Sequence, residues 1–126
     1  MNGDNILIDT NIALYLLNGD RVVAEILDGK NVYVSFITEL ELLGFHEISS
    51  VEHHRIGLFL KECIIVDLNE SIKQETIRLK QNNRIKLPDA VIIATSLYMN
   101  IPLISADSDF EKINELQFIK YEKQTG

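Results

Sequence analysis

The chain alternates short apolar runs with longer segments in which apolar residues recur every three or four positions. Short apolar runs are typical of buried strands, and the recurring spacing is typical of amphipathic helices. Five strands are predicted, at residues 6–8, 32–35, 63–66, 102–105 and 118–121. Seven helices are predicted, at residues 10–17, 20–27, 38–47, 49–62, 70–83, 88–99 and 109–116.

Strands that alternate with helices and are apolar throughout favour a parallel sheet covered on both faces. The predicted fold class is therefore α/β, a three-layer α/β/α sandwich with a central parallel sheet. Residues 90–99 are apolar on almost every side of their helix, which predicts a buried, central helix.

Length and composition are those of one ordinary globular domain. The chain has 126 residues, of which 46% are hydrophobic and 25% charged, with only six Gly and two Pro. A chain of this length buries roughly two-thirds of its unfolded surface in one core, so we expect a single domain over residues 1–126. The composition excludes disordered, collagen-like and low-complexity classes.

The charge balance restricts the possible partners. Lys and Arg number 12 against 19 Asp and Glu, giving a net charge of −7. A nucleic acid would therefore need a local basic strip or bound cations to hold it. The single cysteine, Cys63, allows no internal disulfide, and the N-terminal residues do not have the pattern of a secretory leader. No apolar stretch approaches the ~20 residues that span a bilayer, so we expect a cytoplasmic protein without membrane contact.

Acids that follow strands are the first candidates for function, because open parallel sheets bind ligands beyond the carboxyl ends of their strands. Asp9 follows the first predicted strand directly, and Asp107 and Asp109 come just after the fourth. Structural interpretations are also open. Asp9 could cap the next helix, and Asp107 could merely precede a capping box of Ser108 and Glu111.

Two further acids belong to predicted helices. Asp89 follows Pro88 in the first turn of the buried helix, where the helix dipole favours a negative charge. Glu41 lies in an apolar helical stripe in which a lone carboxylate is unusual, although Thr38 and Glu41 also have the spacing of a capping box. One sheet topology would bring all these acids to a single rim.

Carboxylates gathered at one rim would repel one another and raise each other's pKa. Hard divalent ions such as Mg²⁺ or Mn²⁺ take oxygen ligands and relieve this repulsion. An ion held in this way prefers phosphate oxygens as further ligands. The acids therefore suit phosphodiester or phosphoryl transfer.

Four ordered motifs run along the chain: Asp9-Thr10-Asn11; Ser35, Thr38, Glu41, Leu42 and Gly44; Lys86-Leu87-Pro88-Asp89-Ala90 with Ile92 and Ala94; and Ser105, Asp107, Asp109 and Phe110. In these motifs the sequence resembles the PIN-domain nucleases, and most closely the small VapC-like toxins of bacterial and archaeal toxin–antitoxin pairs. The resemblance spans nearly the whole chain. It implies a metal-dependent endoribonuclease that leaves a 5′ phosphate and a 3′ hydroxyl.

The resemblance also implies that Mg²⁺ or Mn²⁺ is held by four acids, namely Asp9, Glu41, Asp89 and either Asp107 or Asp109. Asp107 is favoured for the fourth place because it is nearer the strand end, and Asp109 is the second choice. Glu39 competes with Glu41 in the same helix, but two residues apart their side chains point to nearly opposite faces. The motif spacing selects Glu41.

Several polar neighbours have predicted supporting roles. Thr10, Asn11 and Ser105 are expected to orient carboxylates or substrate oxygens, with helix capping as the alternative. Arg84 and Lys86 are expected to bind the RNA backbone. Positive charge before the Asp89 motif extends to Arg78 and Lys80, although a solvated helix end explains at least half of these four cations.

The resemblance implies partners besides an RNA substrate. A cognate antitoxin is expected to place a basic side chain among the acids and a helix in a neighbouring groove. A homodimer is also expected, through the helices around Tyr15 and residues 50–62.

Two other functions remain open from the sequence. One is a phospho-accepting receiver domain, with Asp9 as a metal ligand, Asp67 at the end of the third strand as the acceptor, Ser105 at the end of the fourth strand and Lys120 in the fifth. Only one acid follows the first strand, however, whereas such domains resemble one another in having two. The other is a catalytically inactive PIN-like scaffold that binds RNA or protein, which the retention of every motif acid disfavours.

Overall fold

The structure is a computed structural model that describes residues 4–123. Its fold is built on a five-stranded parallel sheet. The strands follow the order β3-β2-β1-β4-β5. Their bounds are β1 Asn5–Ile8, β2 Asn31–Ser35, β3 Ile64–Val66, β4 Leu103–Ser105 and β5 Phe118–Lys120. The predicted parallel sheet is confirmed, and β1 lies at its centre.

Within residues 4–123, six α-helices connect or flank these strands, and a 3₁₀ turn, Ser108–Lys112, follows β4. The helices are α1 Thr10–Leu17, α2 Arg21–Leu27, α3 Phe36–Leu43, α4 Ser50–Glu62, α5 Glu70–Asn82 and α6 Leu87–Met99. Side-chain caps begin the first five helices, at Asp9, Asp20, Ser35, Ser49 and Asn69. The sixth begins with Pro88 in its first turn, where the missing N–H of proline costs no hydrogen bond.

Two apolar clusters cover the two faces of the sheet. Successive strand residues point to opposite faces, so Ile6 and Ile8 join one cluster and Leu7 the other. The first cluster includes buried residues of α1, α2 and α4, and the second includes those of α5 and α6. This arrangement confirms the three-layer α/β/α sandwich.

Helix α6 is the buried helix that the sequence predicts. Its residues 90–96 are all buried, including the hydroxyl side chains of Thr95 and Ser96. Both hydroxyls donate to backbone carbonyls, of Val91 at 2.8 Å and of Ile101 at 2.6 Å. These bonds satisfy the buried polar groups and leave the apolar surface of α6 to pack against the sheet and α5.

Two helical predictions are wrong in their bounds. The helix predicted at 38–47 is Phe36–Leu43, because Ser35 at the end of β2 accepts from the Ile37 amide at 3.1 Å and Gly44 ends the helix. The helix predicted at 109–116 is reduced to the 3₁₀ turn. Phe110 and Leu116 nevertheless enter the second cluster from this largely irregular segment.

The predicted single domain covers residues 1–126, of which 1–3 and 124–126 lie outside the described residues. Among residues 4–123, no helix has the length and apolar character needed to cross a membrane.

Glycine substitutions at two helices are expected to have opposite effects. A Cβ at Gly44 would lie 2.6 Å from the Leu40 carbonyl oxygen, so Gly44→Ala should lower the free energy of unfolding by about 1–3 kcal/mol as the backbone shifts. Gly57 is inside α4, and apart from its chain neighbours and the nearby backbone of its own helix, no described heavy atom lies within 4 Å of its Cβ position. Gly57→Ala should raise the free energy of unfolding by about 0.5–1 kcal/mol. Urea denaturation measures both, and effects of the same sign would contradict the difference in packing between the two positions.

Candidate active site

Asp9 occupies the carboxyl end of the central strand and is only 5% exposed. One carboxylate oxygen accepts from the Ile12 amide at 2.9 Å, which makes Asp9 the N-cap of α1. The other accepts from the Ser105 hydroxyl at 2.5 Å. Ser105 ends β4, which pairs with β1, so the two side chains meet in register. The two sequence interpretations of Asp9, rim acid and helix cap, are therefore both correct.

Glu41 is held beside Asp9 by threonines from two helices. The Thr10 hydroxyl donates to the Glu41 carboxylate at 2.6 Å. Since that proton is already used, the Thr38 hydroxyl donates to the Thr10 oxygen, 3.0 Å away. The alternative interpretation of Thr38 and Glu41 as a capping box is wrong, because Ser35 caps α3 and Thr38 lies inside the helix. Glu39, the competing acid of the same helix, is about 200° around the helix axis from Glu41, so it lies on the nearly opposite face.

Asp89 lies in the first turn of α6, half-buried, at the junction of two cavities. The first cavity has a volume of 230 Å³ and is lined by Asp9, Thr10, Asn11, Leu14, Glu41, Phe45, Asp89 and Ile92. We call it the acid cavity. It brings together three of the sequence-predicted acids with Thr10 and Asn11.

Asp107 and Asp109 differ in their relation to these acids. Asp107 is half-buried and caps the 3₁₀ turn by accepting from the Asp109 amide at 2.9 Å, so the alternative capping box of Ser108 and Glu111 is wrong. The Asp107 amide in turn donates to the Ser105 hydroxyl oxygen at 3.0 Å. Asp109 is exposed. The geometry thus couples Asp107 more closely to Asp9.

The acids act on one another electrostatically. Burial is the largest cause that raises the pKa of Asp9, while the hydrogen bonds from Ser105 and Ile12 lower it and the charges of Asp107 and Glu41 raise it. The pKa of Asp89 is also raised, first by burial and then by the charges of Asp107, Asp9 and Glu41, against a small lowering by Lys86. The carboxylates of Asp9, Glu41, Asp89 and Asp107 therefore act on one another electrostatically.

The donor set fits a hard divalent cation in its chemistry. The facing groups are carboxylate oxygens, and a cation among them would offset the repulsion that raises the pKa of Asp9 and Asp89. Within residues 4–123, however, no three His, Cys, Asp or Glu side chains form a ready-made metal-binding group. Side-chain rotation would be required for these acids to share an ion.

A second cavity, of 410 Å³, opens on the other side of Asp89 and carries most of the local positive charge. We call it the basic cavity. It is lined by Lys80, Arg84, Ile85, Lys86, Asp89, Asp107, Asp109, Phe110 and Lys112. Arg84 and Lys86, the residues predicted to bind the RNA backbone, thus lie beside the acids. Lys112 was not predicted, because it follows β4 and is far along the chain from the other cations.

Arg78 does not belong to this basic group. Its guanidinium pairs with Glu75 and, at 2.8 Å, with Glu115, and these carboxylates raise its pKa. The prediction that Arg78 adds to the positive charge near Asp89 is therefore wrong. Of the two partners of Arg78, Glu75 is three residues away with the spacing of a helical ion pair, whereas Glu115 is 37 residues away and could not be inferred from local spacing.

The receiver interpretation conflicts with the strand order. Asp67 follows β3, which is separated from β1 by β2, so it lies roughly 10 Å across the sheet from the end of the central strand. Lys120 pairs with Glu111 at 3.7 Å on the surface. The sheet therefore does not bring Asp67 to Asp9 and Ser105 as a phospho-acceptor site requires.

Comparisons with known proteins agree with this geometry. Residues 6–116 match the sequence model of the PIN domain. A toxin–antitoxin complex from Klebsiella pneumoniae contains a chain with a TM-score of 0.81 and 28% identity, covering 94% of this chain and 99% of that chain. No match was found among curated proteins.

Two further solved structures have the same fold. A chain of VapBC-1 from nontypeable Haemophilus influenzae has a TM-score of 0.73 and 26% identity, covering 92% of this chain and 97% of that one. A chain of VapBC2 from Rickettsia felis, bound to a DNA fragment from their promoter, has a TM-score of 0.82. It is 18% identical, covers 94% of this chain and 99% of that one, and shows similarity of fold alone.

Removing one charge from the acid group is expected to stabilise the metal-free protein. The raised pKa of Asp89 means that its ionised form is disfavoured in the folded state. In chelator at neutral pH, Asp89→Asn should raise the free energy of unfolding by about 0.5–2 kcal/mol. The native protein loses stability as pH rises from 3.8 through the folded pKa, so the gain should vanish below 3.8.

Urea denaturation across this pH range measures the gain. Asp67→Asn is the matched control, since Asp67 is exposed and lies roughly 10 Å across the sheet from the end of the central strand; it should change the free energy of unfolding by less than about 0.5 kcal/mol. An equal gain in both variants, or a gain for Asp89→Asn that persists below pH 3.8, would contradict the electrostatic explanation.

Proposed function

The chain belongs to the PIN domain family, and we propose that it is a metal-dependent endoribonuclease acting as the toxin of a toxin–antitoxin pair. One observation carries the proposal. Four separate elements bring Asp9, Glu41, Asp89 and Asp107 to one rim, where their charges oppose one another. Without a cation, the repulsion among these carboxylates lowers the stability of the fold. With a bound divalent cation, the same carboxylates suit phosphodiester hydrolysis.

The four acids are proposed to hold Mg²⁺ or Mn²⁺, which when bound supplies positive charge to the scissile phosphate and lowers the pKa of water. Glu41 accepts the proton of the attacking water, and the Thr10 hydroxyl keeps its carboxylate in place. Ser105 orients Asp9 through its hydroxyl. Asn11 is exposed in the acid cavity, where its amide is available to a substrate oxygen.

An antitoxin segment is proposed to cover a groove beside the acids. This groove has a volume of 360 Å³ and is lined by Leu14, Leu17, Asn18, Phe45, Glu47, Ile48, Ser49, Glu52 and Ile56. Leu14 and Phe45 also line the acid cavity. An apolar helix seated in the groove would therefore place its neighbouring residues within reach of the carboxylates, where a basic side chain would be favoured.

A second copy of the chain is proposed to cover an apolar face on α3, α5 and α6. A cavity of 380 Å³ on this face is lined by Phe36, Ile37, Leu68, Lys73, Thr76, Ile77, Leu87 and Val91. Leu87 is 57% exposed and Ile77 is 44% exposed. Exposed apolar patches of this kind are typical of interaction sites. By contrast, Tyr15, in the helix where the dimer contact was expected, already packs against Tyr121.

Charge-removing substitutions test the nuclease. Asp9→Asn and Asp89→Asn should each lower the rate of RNA cleavage in Mn²⁺ or Mg²⁺ by at least about a hundredfold, because each removes a carboxylate proposed to hold the ion. Cleavage of a mixed-sequence single-stranded RNA is followed with and without chelator, and urea denaturation confirms folding. Full activity in both variants, or activity that persists in chelator, would overturn the proposal.

Glu39 provides a matched control for Glu41. Glu41→Gln should lower the cleavage rate by about ten- to a hundredfold, whereas Glu39→Gln should change it by less than about twofold. The two residues share α3, so a general effect on the helix would appear in both variants. The opposite ranking would show that Glu39 is the residue of the site. Cleavage by neither the native protein nor any variant would instead favour the inactive scaffold.

Two lysine substitutions distinguish the dimer surfaces. Sedimentation equilibrium of the native chain should give the mass of two chains, and Ile77→Lys should weaken the dimer by about tenfold or more, because a charge enters its apolar contact. Val51→Lys is the control on α4, where Val51 is 68% exposed. Dissociation by Val51→Lys and not by Ile77→Lys would assign the contact to the 50–62 helix.

A further inference from the structure

The basic cavity differs from the rest of the surface in the balance of its charges. Four cationic side chains line it against three carboxylates, whereas the whole chain has a net charge of −7. The carboxylates include Asp89, which also lines the acid cavity. The cavity is therefore a locally positive region continuous with the acids.

Two of its lysines hold a short backbone segment in place. The ammonium group of Lys80, at the end of α5, donates to the Ile85 carbonyl at 2.7 Å. The ammonium group of Lys112, in the 3₁₀ turn, donates to the Arg84 carbonyl at 2.8 Å. These carbonyls belong to the connection between α5 and α6, outside any helix or strand. The two lysines thus tie this connection to the elements on both sides.

The side chains carried by that connection are not used for internal ion pairs. Within the part of the chain that the structure describes, neither the Arg84 guanidinium nor the Lys86 ammonium group lies within salt-bridge distance of a carboxylate. Arg78, one turn from the end of α5, is fully paired by contrast. The charges of Arg84 and Lys86 are therefore available to a ligand.

We propose that the basic cavity binds an RNA backbone phosphate adjacent to the scissile one, through Arg84 and Lys86, with Lys80 and Lys112 as positioning residues. The proposal rests on the proposed function, because the acid cavity is taken as the place of cleavage. The volume of the basic cavity, 410 Å³, is within the range of small-molecule sites and accommodates a nucleotide unit. A phosphate is the ligand that this number of cationic donors favours.

Binding of a short randomised single-stranded RNA, labelled for fluorescence anisotropy, tests the cavity in Mg²⁺. All variants are made in a parent chain that already carries Asp9→Asn, which prevents cleavage during the measurement. Arg84→Ala and Lys86→Ala should each weaken binding by about three- to tenfold, and the double variant should reduce the slope of log affinity against log salt by about 0.7, the contribution of one phosphate contact on a single strand. Lys61→Met is the control, since Lys61 is an exposed α4 lysine outside the cavity.

The positioning role is tested with Lys80→Met and Lys112→Met, which should weaken RNA binding by about threefold or more and speed amide exchange at Ala90, whose amide donates to the Lys86 carbonyl at 3.0 Å. Lys80→Arg should restore both, because a guanidinium also donates to the Ile85 carbonyl. In a chain that keeps Asp9, Lys80→Met and Lys112→Met should raise the KM for RNA cleavage and change kcat by less than about twofold.

The outcomes separate the two proposals. RNA affinity that is unchanged by Arg84→Ala and Lys86→Ala, in a protein that cleaves RNA, overturns the phosphate site and leaves the nuclease. RNA that is bound through these residues but not cleaved by the native protein overturns the nuclease and leaves the phosphate site. Unchanged amide exchange in Lys80→Met and Lys112→Met overturns the positioning role, and a failure of the parent to bind RNA overturns the whole proposal.

Discussion

A buried carboxylate at the end of the central strand constrains the rest of the structure. Asp9 is 5% exposed, and its ionised form requires hydrogen-bond donors that an apolar sheet does not provide. The α1 amide of Ile12 supplies one and the β4 hydroxyl of Ser105 supplies another. The start of α1 and the pairing of β4 with β1 are therefore both coupled to this charge. Ser105 then extends the coupling to the backbone of Asp107.

These donors do not cancel the cost of gathering further acids around Asp9. Its pKa stays raised, and the pKa of Asp89 is raised by the same group of charges. The two apolar clusters on either side of the sheet offset this cost, since their burial does not depend on the rim. Stability and the proposed function are thus assigned to different parts of the molecule, as is common where like charges are held together for chemistry.

The sequence was sufficient to predict the parallel sheet, the buried α6 and the acids at the strand ends, because apolar periodicity carries this information. It was insufficient to choose between neighbouring caps. Ser35 rather than Thr38 caps α3, since the cap is decided by where β2 ends and not by the capping-box spacing. Contacts of charged side chains between residues distant along the chain could not be predicted from it either. Glu115 neutralises Arg78 across 37 residues, and only the folded chain places Lys112 beside Arg84.

A net charge of −7 does not oppose the binding of a polyanion at this rim. At physiological ionic strength exposed charges are largely screened beyond about 8 Å, so the groups that line the two cavities determine the field that a phosphate meets. Acids dominate the acid cavity and cations outnumber acids in the basic cavity, with Asp89 between them. This polarity favours a cation on one side of Asp89 and a phosphate on the other. A single extended strand that contacts both sides therefore satisfies the charge pattern better than a ligand confined to either cavity.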